Sequence, residues 1–522
     1  MEPQPLKYDR QLRLWHAHGQ QRRHLARICL VNAAAVGAEA VKNLASALSP
    51  SSPPPFTVVD DALVSGAHAG RNFFLDRSSI GKPRAEALAA LLAELNDEVS
   101  GSAVVRSPAD IIASSPDFFR QFSLVIATEL PENDLRALAR ICWDADVALV
   151  VARAYGFTGY ARIVRREHTI IEAHRGPISD FRFDCPFPAL ASHVASIDHT
   201  ALDSMASSHL PFVVILIKAL AQWRASHNGA LPANRNEQAE FKQLVSSFKH
   251  PQSVDDENIV EAVANAYRAY TPTKIPADVA AILADPAADS LSPETPDFWL
   301  LVAALKRFVA HEGNGLLPVA GSLPDMKSDT DSFVKLQQIY RAKAREDTAL
   351  VRAHLDHILV AVGRSTDSIS DELVDRFCKN SSALAVIRYR SLEDEYTANR
   401  GAQYAGDDHS NFYWMLRAAD RFRTLHGRLP GTDAALLVED ADKVAAVVAD
   451  LRSENGLPST VVPDSHITEL VRAGGCELHN IAAIMGGIVS QEVIKLLTHQ
   501  YVPANHTVVF NGVPSSSSVY QF

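Results

Sequence analysis

The chain has 522 residues, too many for one ordinary domain, so two or three are expected. It is 47% hydrophobic and 21% charged, the composition of a soluble globular protein. The net charge of −11, from 61 acidic against 50 basic residues, argues against nucleic acid as the main partner, because such binders carry a basic face.

The opening MEPQPLKYDRQ has no apolar leader. The longest apolar run, 211–217, ends at Lys218, far short of the ~20 residues a membrane span needs. An intracellular protein is expected, cytoplasmic and/or nuclear, with no basic import cluster to separate the two. Five cysteines (Cys29, Cys142, Cys185, Cys378 and Cys476) show no C-x-x-C spacing, so neither a disulfide framework nor a cysteine zinc site is expected.

Residues 8–15, YDRQLRLW, open the chain with mixed aromatic, apolar and basic side chains. One reading is an amphipathic helix that packs Tyr8, Leu12 and Trp15 on a sheet edge. In the other, an arginine here reaches into a partner's site, since guanidinium groups clamp phosphate oxygens well. Next comes the buried-type strand 27–32 (RICLVN), a small-residue turn, and a helix through 44. Strands at 56–60, 103–106, 122–127 and 147–153 and a helix at 82–95 continue the alternation. Strands alternating with helices imply a parallel sheet covered on both faces, in a doubly wound, Rossmann-like layout.

After about residue 167 helical patterns dominate: 211–223, 237–248, 258–270, 298–311, 333–362 and 411–426. Near Cys476 the α/β character returns, with a helical stripe over 481–497 and an edge strand at 508–510 that ends at the Asn511-Gly512 turn. The expected architecture is one α/β domain (1–168 and 475–522) split by a helical insertion (169–474). Gly486-Gly487 in the last helix permits a close approach, either to a partner or to this domain's own core.

The turn after the first strand reads Asn32-Ala33-Ala34-Ala35-Val36-Gly37. A nucleotide-binding turn needs glycines so that the backbone can approach phosphates at a helix N-terminus. Only Gly37 remains in a comparable place. Each alanine carries a methyl group where a phosphate would sit, and a Cβ restricts tight turning.

YDRQLRLW, followed by a strand and turn and then Lys42-Asn43-Leu44, resembles the opening of ubiquitin-activating-type enzymes. Further stretches agree: VVDDALVSGAHAGRNFFLDRSSIGKPRAEA (58–87), PFVVILIKALAQW (211–223), LPVAGSLPDM (317–326), KLQQIYRAKA (335–344) and HNIAAIMGGIVSQEVIKLLTHQYVP (479–503). Together they resemble the regulatory subunits of neddylation activating enzymes over essentially the whole chain, the helical insertion included. SUMO-type regulatory subunits share the first motifs but are much shorter.

The resemblance implies a ThiF/MoeB-type, Rossmann-like pseudo-adenylation domain and an obligate heterodimer with a catalytic activating-enzyme subunit. That partner would bind ATP and magnesium, adenylate the C-terminus of the ubiquitin-like modifier of the neddylation pathway, and take the acyl group on a cysteine. The conjugating enzyme is a further candidate partner. This chain is expected to hold no cofactor or metal itself.

Its departures from the active pattern carry that expectation. Asn32, Ala34 and Ala35 replace three glycines of G-x-G-G-x-G. Asp60 is kept but Ala62 replaces the second acid of D-x-D, and Arg84 stands for a lysine. The metal-handling aspartate falls near Pro131, flanked by Glu129 and Glu132. Arg71 matches a family arginine but lacks its companions, and Cys185, in FDCPFP, has no nucleophile's setting. Arg10, by the YDRQ match, would contact the phosphates of ATP bound by the partner, or else be a structural arginine at the interface. Two rivals stay open: a self-sufficient adenylating or dinucleotide-using enzyme, and a scaffold with no chemical role.

Overall fold

The computed structural model describes residues 8–45, 54–96, 99–174, 176, 180–252, 256–397 and 401–522. The chain divides into two compact units, Met1–His168 with Val386–Phe522, and Thr169–Ala385.

The first unit is built on an eight-stranded sheet. In chain order its strands are β1 (Ile28–Val31), β2 (Phe56–Val59), β3 (Gly101–Val104), β4 (Leu124–Thr128), β5 (Ala148–Tyr155), β6 (Thr158–Val164), β7 (Thr507–Asn511) and β8 (Ser516–Tyr520). The spatial order is β8-β7-β6-β5-β4-β1-β2-β3. β1 pairs in parallel with both β2 and β4, and β5 extends the parallel set, whereas β6, β7 and β8 are antiparallel. Strands β1, β2, β4 and β5 are buried along their whole length, as expected for a sheet covered on both faces. Strand order reverses between β1 and β4, so the crevice beyond their carboxyl ends is where a doubly wound sheet binds its ligand.

Alternate residues of each strand face opposite layers. Cys29, Val31, Val125, Ala127, Leu149 and Val151 share a core with α5 (Glu132–Asp144), α6 (Asp408–His426), α7 (Leu437–Asn455) and α8 (Asp464–Ala473). The other layer is α2 (Ala35–Ala45), flanked by α4 (Arg84–Ala93), against α9 (His479–Thr498). α9 is long and apolar enough to cross a membrane by composition alone, yet about half of it is buried inside this unit. Gly486 lies on the buried side, where a Cβ would stand 2.5 Å from Glu39 Cβ, and Gly487 faces open space. Of the two readings of this glycine pair, the close approach at Gly486 is to the chain's own α2.

Three expectations need correcting. The strand expected at 103–106 runs over Gly101–Val104. Strands β6 and β8 were absent from the sequence reading, and β7 is an inner strand, not the edge. The insertion expected to end at 474 ends at 385, because Tyr413, Trp414, Phe422, Val444, Val448 and Leu470 all pack into the core of the first unit.

The opening helix α1 (Asp9–His24) is interrupted at His16, where φ is +57°. Tyr8 and Trp15 are buried, but the helix docks on α9 instead of a sheet edge. Trp15 meets Tyr501 edge-on, and Gln500 Nε2 donates to its carbonyl at 2.8 Å.

The second unit is mainly helical. Phe212–Ser226 is apolar almost all round and lies at the centre of a core with Phe181, Phe241, Ala262 and Tyr340. The 32-residue helix Thr330–Ala361 is capped by Asp329, whose carboxylate accepts from Ser332 N. It packs against Asp297–Ala310 and Asp371–Lys379.

Candidate functional site

The crevice beyond β1, β2 and β4 holds most of the residues singled out from the sequence, and each is committed to a partner inside the chain. Asn32 adopts the left-handed region (φ +61°), which asparagine tolerates better than most residues. Its Nδ2 donates to the carbonyls of Thr128 (3.0 Å) and Glu129 (3.1 Å), and Thr128 Oγ1 donates back to the Asn32 carbonyl at 2.8 Å. A residue that replaces a glycine therefore laces the ends of β1 and β4 together.

Ala33, Ala34 and Ala35 are all buried. Gly37 is favoured by packing, since a Cβ there would lie 2.6 Å from Leu30 Cδ1 and 3.1 Å from Thr128 Cγ2. It thus keeps the helix-against-strand role of such a glycine, while the phosphate-facing positions have changed.

Asp60, fully buried at the end of β2, accepts Ala33 N (2.7 Å) and Arg84 Nε (2.7 Å) on one oxygen and Ala62 N (2.8 Å) on the other. Arg84 Nη2 closes the ion pair at 2.6 Å. The carboxylate is therefore held by Arg84 and by two backbone amides of its own chain.

The first two residues of α2 have N–H groups with no intrahelical acceptor. Both are taken by one side chain: Glu477 Oε2 accepts from Ala35 N at 2.8 Å, and Oε1 from Val36 N at 3.2 Å. Glu477 is 5% exposed. Burial raises its carboxyl to about 7, reinforced by nearby Glu129 and opposed by the two amides and Arg153. Sequence reasoning missed this residue, and its one local signal was the Gly474-Gly475 pair just before it.

The position after β4 is likewise stitched shut. Glu129 sits at φ +48°, and its carbonyl accepts from Arg423 Nη1 at 2.6 Å. Glu132 accepts from Arg421 at 3.4 Å, and its own N–H donates to Thr424 Oγ1 at 3.0 Å. Arg153 and Asp420 form a buried pair beneath. Among the described residues no group of three His, Cys, Asp or Glu side chains is placed to hold a metal ion. The residues present do not fit a bound nucleotide, because the anion position, the ribose carboxylate and the metal position are all engaged internally.

Arg71, on α3 (Gly66–Arg71), donates to the Gly475 carbonyl at 3.3 Å, so it supports the loop that delivers Glu477. Arg10 is exposed near the start of α1 and makes no hydrogen bond or ion pair among the described residues, while its neighbour Arg13 pairs with Asp9 at 3.0 Å. The crevice does not include Cys185, an exposed residue whose thiol has its pKa raised by partial desolvation and by Asp184. That is the opposite of what a nucleophile needs.

The ThiF family matches residues 8–520. The NEDD8-activating enzyme E1 regulatory subunit of Xenopus laevis is 41% identical over 99% of this chain and 98% of that protein. The NEDD8-activating enzyme E1 regulatory subunit AXL of Arabidopsis thaliana is also 41% identical, over 98% of each chain. The NEDD8-activating enzyme E1 regulatory subunit of Saccharomyces cerevisiae is 26% identical over 99% of both. With a family match over residues 8–520 and end-to-end likeness to these relatives, the chain belongs to the ThiF family and, within it, to the NEDD8-activating enzyme E1 regulatory subunits.

Proposed function

We propose that this chain is the non-catalytic half of a heterodimeric E1 that activates a NEDD8-type modifier. A catalytic partner subunit binds ATP and magnesium and holds the C-terminus of the modifier. Its carboxylate attacks the α-phosphate, giving an acyl-adenylate and releasing pyrophosphate. A cysteine of the partner then displaces AMP to form the thioester, and a conjugating enzyme receives the acyl group in turn. This chain contributes one half of the adenylating assembly and, in trans, the Arg10 guanidinium as a clamp on the phosphates of the partner's ATP. It binds no nucleotide or metal of its own, and it works in the cytoplasm and/or the nucleus.

The observation that carries this reading is the crevice itself. Glu477 occupies the amides of Ala35 and Val36, and Arg84 occupies Asp60, which supports adenylation taking place in another subunit. The exposed Arg10 supports its role, because a guanidinium that makes no hydrogen bond or ion pair among the described residues is available to a group outside the chain.

The test is ATP–pyrophosphate exchange by the full chain alone and after co-expression with its catalytic partner. Exchange is expected only in the complex. Exchange by the chain alone, or recovery from cells as a monomer with no companion, would overturn the reading.

A further inference from the structure

We propose that the Glu477 carboxyl group is an internal stand-in for a phosphate, a fixed pair of oxygens that holds the first βα turn in its anion-bound arrangement with no nucleotide present. At the switch point of a doubly wound sheet, the N-terminus of the first helix presents unpaired N–H groups and a positive dipole end, the features that bind phosphate oxygens. In this chain each oxygen of one carboxylate takes one of those N–H groups, Ala35 at 2.8 Å and Val36 at 3.2 Å. α2 lacks a Ser, Thr, Asp or Asn cap of its own, and the pair of oxygens comes from a residue far along the chain.

The loop that delivers Glu477 is built for the task. Gly474 and Gly475 both adopt left-handed conformations (φ +54° and +72°), and a Cβ at Gly475 would come within 2.6 Å of Leu429 Cδ1. Gly156, at the end of β5, donates its N–H to the Cys476 carbonyl at 2.8 Å. Arg71 anchors the Gly475 carbonyl from the other side. The loop is therefore pinned next to the carboxylate, and the pinning groups come from elements that flank the crevice.

The site consequently has a chemical class. It takes a compact oxyanion, and inorganic phosphate is the simplest one that would fill it once the carboxylate is gone. Glu477 acts within this chain alone, so a failed rescue would not bear on the heterodimer.

The experiment is thermal unfolding of the full chain and its Glu477→Ala variant in sodium phosphate and in sodium chloride of equal ionic strength. The variant is expected to melt below the parent in chloride and to gain about 2 °C more than the parent from phosphate. An equal response of the two proteins overturns the proposal. If Glu477→Ala does not accumulate folded, amide exchange in Glu477→Gln decides. Its single acceptor oxygen leaves one amide unpaired, so Ala35 or Val36 should exchange about tenfold faster while Ala33, held by Asp60, is unchanged. Unchanged exchange at both Ala35 and Val36 overturns the proposal as well.

Discussion

Arg153 Nη2 stands 2.6 Å from Asp420 Oδ1, and the two side chains are 3% and 5% exposed. Arg153 lies on β5 and Asp420 on α6, so the pair joins the first stretch of the α/β unit to the stretch that returns after the second unit. Removing one member strands a buried charge, whereas removing both does not. Asp420→Ala is expected to cost roughly 3–5 kcal/mol in urea unfolding, and Arg153→Met with Asp420→Leu distinctly less than the single change. A single-variant cost below about 1 kcal/mol would show that the pair carries no structural weight.

Much of the fold was legible because β1, β4 and β5 are short continuous apolar runs and α9 carries an apolar stripe at helical spacing. The helix at Asp408–His426 was legible too, but not its allegiance. Its buried Trp414, Arg417, Asp420 and Phe422 look the same in any helical core, and it is the contacts with β7, β6, β8 and α5, with the Arg153–Asp420 pair, that assign it to the sheet. β8 reads SSSVY, a weak strand pattern that becomes a strand because β7 offers it an edge. At the candidate site the lost glycines were visible in the sequence. What filled their place was not, since Ala35 and Glu477 meet only through tertiary folding.

The glycine pair of α9 gives a matched test of packing. A Cβ on Gly486 would lie 2.5 Å from Glu39 Cβ and 2.9 Å from Ala40 N, whereas on Gly487 it meets nothing within 4 Å. Gly486→Ala is expected to destabilise by about 1–3 kcal/mol, because helix backbone has to move. Gly487→Ala should be neutral, or stabilising by up to about 1 kcal/mol through helix propensity alone. Chemical denaturation of the two variants side by side measures the difference, and similar values would contradict the close approach of α9 to α2.

Arg10 separates a chemical role from a scaffolding one. With the catalytic partner present, Arg10→Ala should lower the rate of modifier adenylation by about 100-fold, as loss of a transition-state charge donor does elsewhere. Arg10→Lys should fall between, since it keeps the charge but loses the planar fork. Gel filtration should give an unchanged heterodimer, because Arg10 makes no bond within its own chain among the described residues. Full adenylation by Arg10→Ala would assign the residue to the surface, and loss of the heterodimer would assign it to the interface.

Glu477 also sets a pH dependence. Burial and Glu129 raise its carboxyl to about 7 against an ordinary 4.5, while the amides of Ala35 and Val36 and the charge of Arg153 pull the other way. A carboxyl with a raised folded-state pKa stabilises most below its unfolded pKa, and that contribution is lost as pH climbs through the folded value. From pH 4.5 to 7.5 the unfolding free energy of the parent should therefore fall, relative to Glu477→Gln, by roughly 3 kcal/mol. Parallel profiles for the two proteins would show that Glu477 titrates at its ordinary value.

Restoring the glycines tests whether the alanines or the internal partners close the crevice. Asn32→Gly, Ala34→Gly and Ala35→Gly together return the turn to a glycine-rich sequence, which by backbone sterics alone admits a phosphate. In this chain the Ala35 and Val36 amides remain bound to Glu477, and Asp60 remains bound to Arg84. The triple variant is therefore expected to show no heat of binding with magnesium ATP. It should also be less stable, because Asn32 no longer ties β1 to the Thr128 and Glu129 carbonyls. Adding Glu477→Ala and Arg84→Lys to the triple variant frees the amides and loosens the hold on Asp60, and weak binding should appear only then. ATP binding by the triple variant alone would mean that the alanine methyl groups close the crevice, with Glu477 and Arg84 merely lining it.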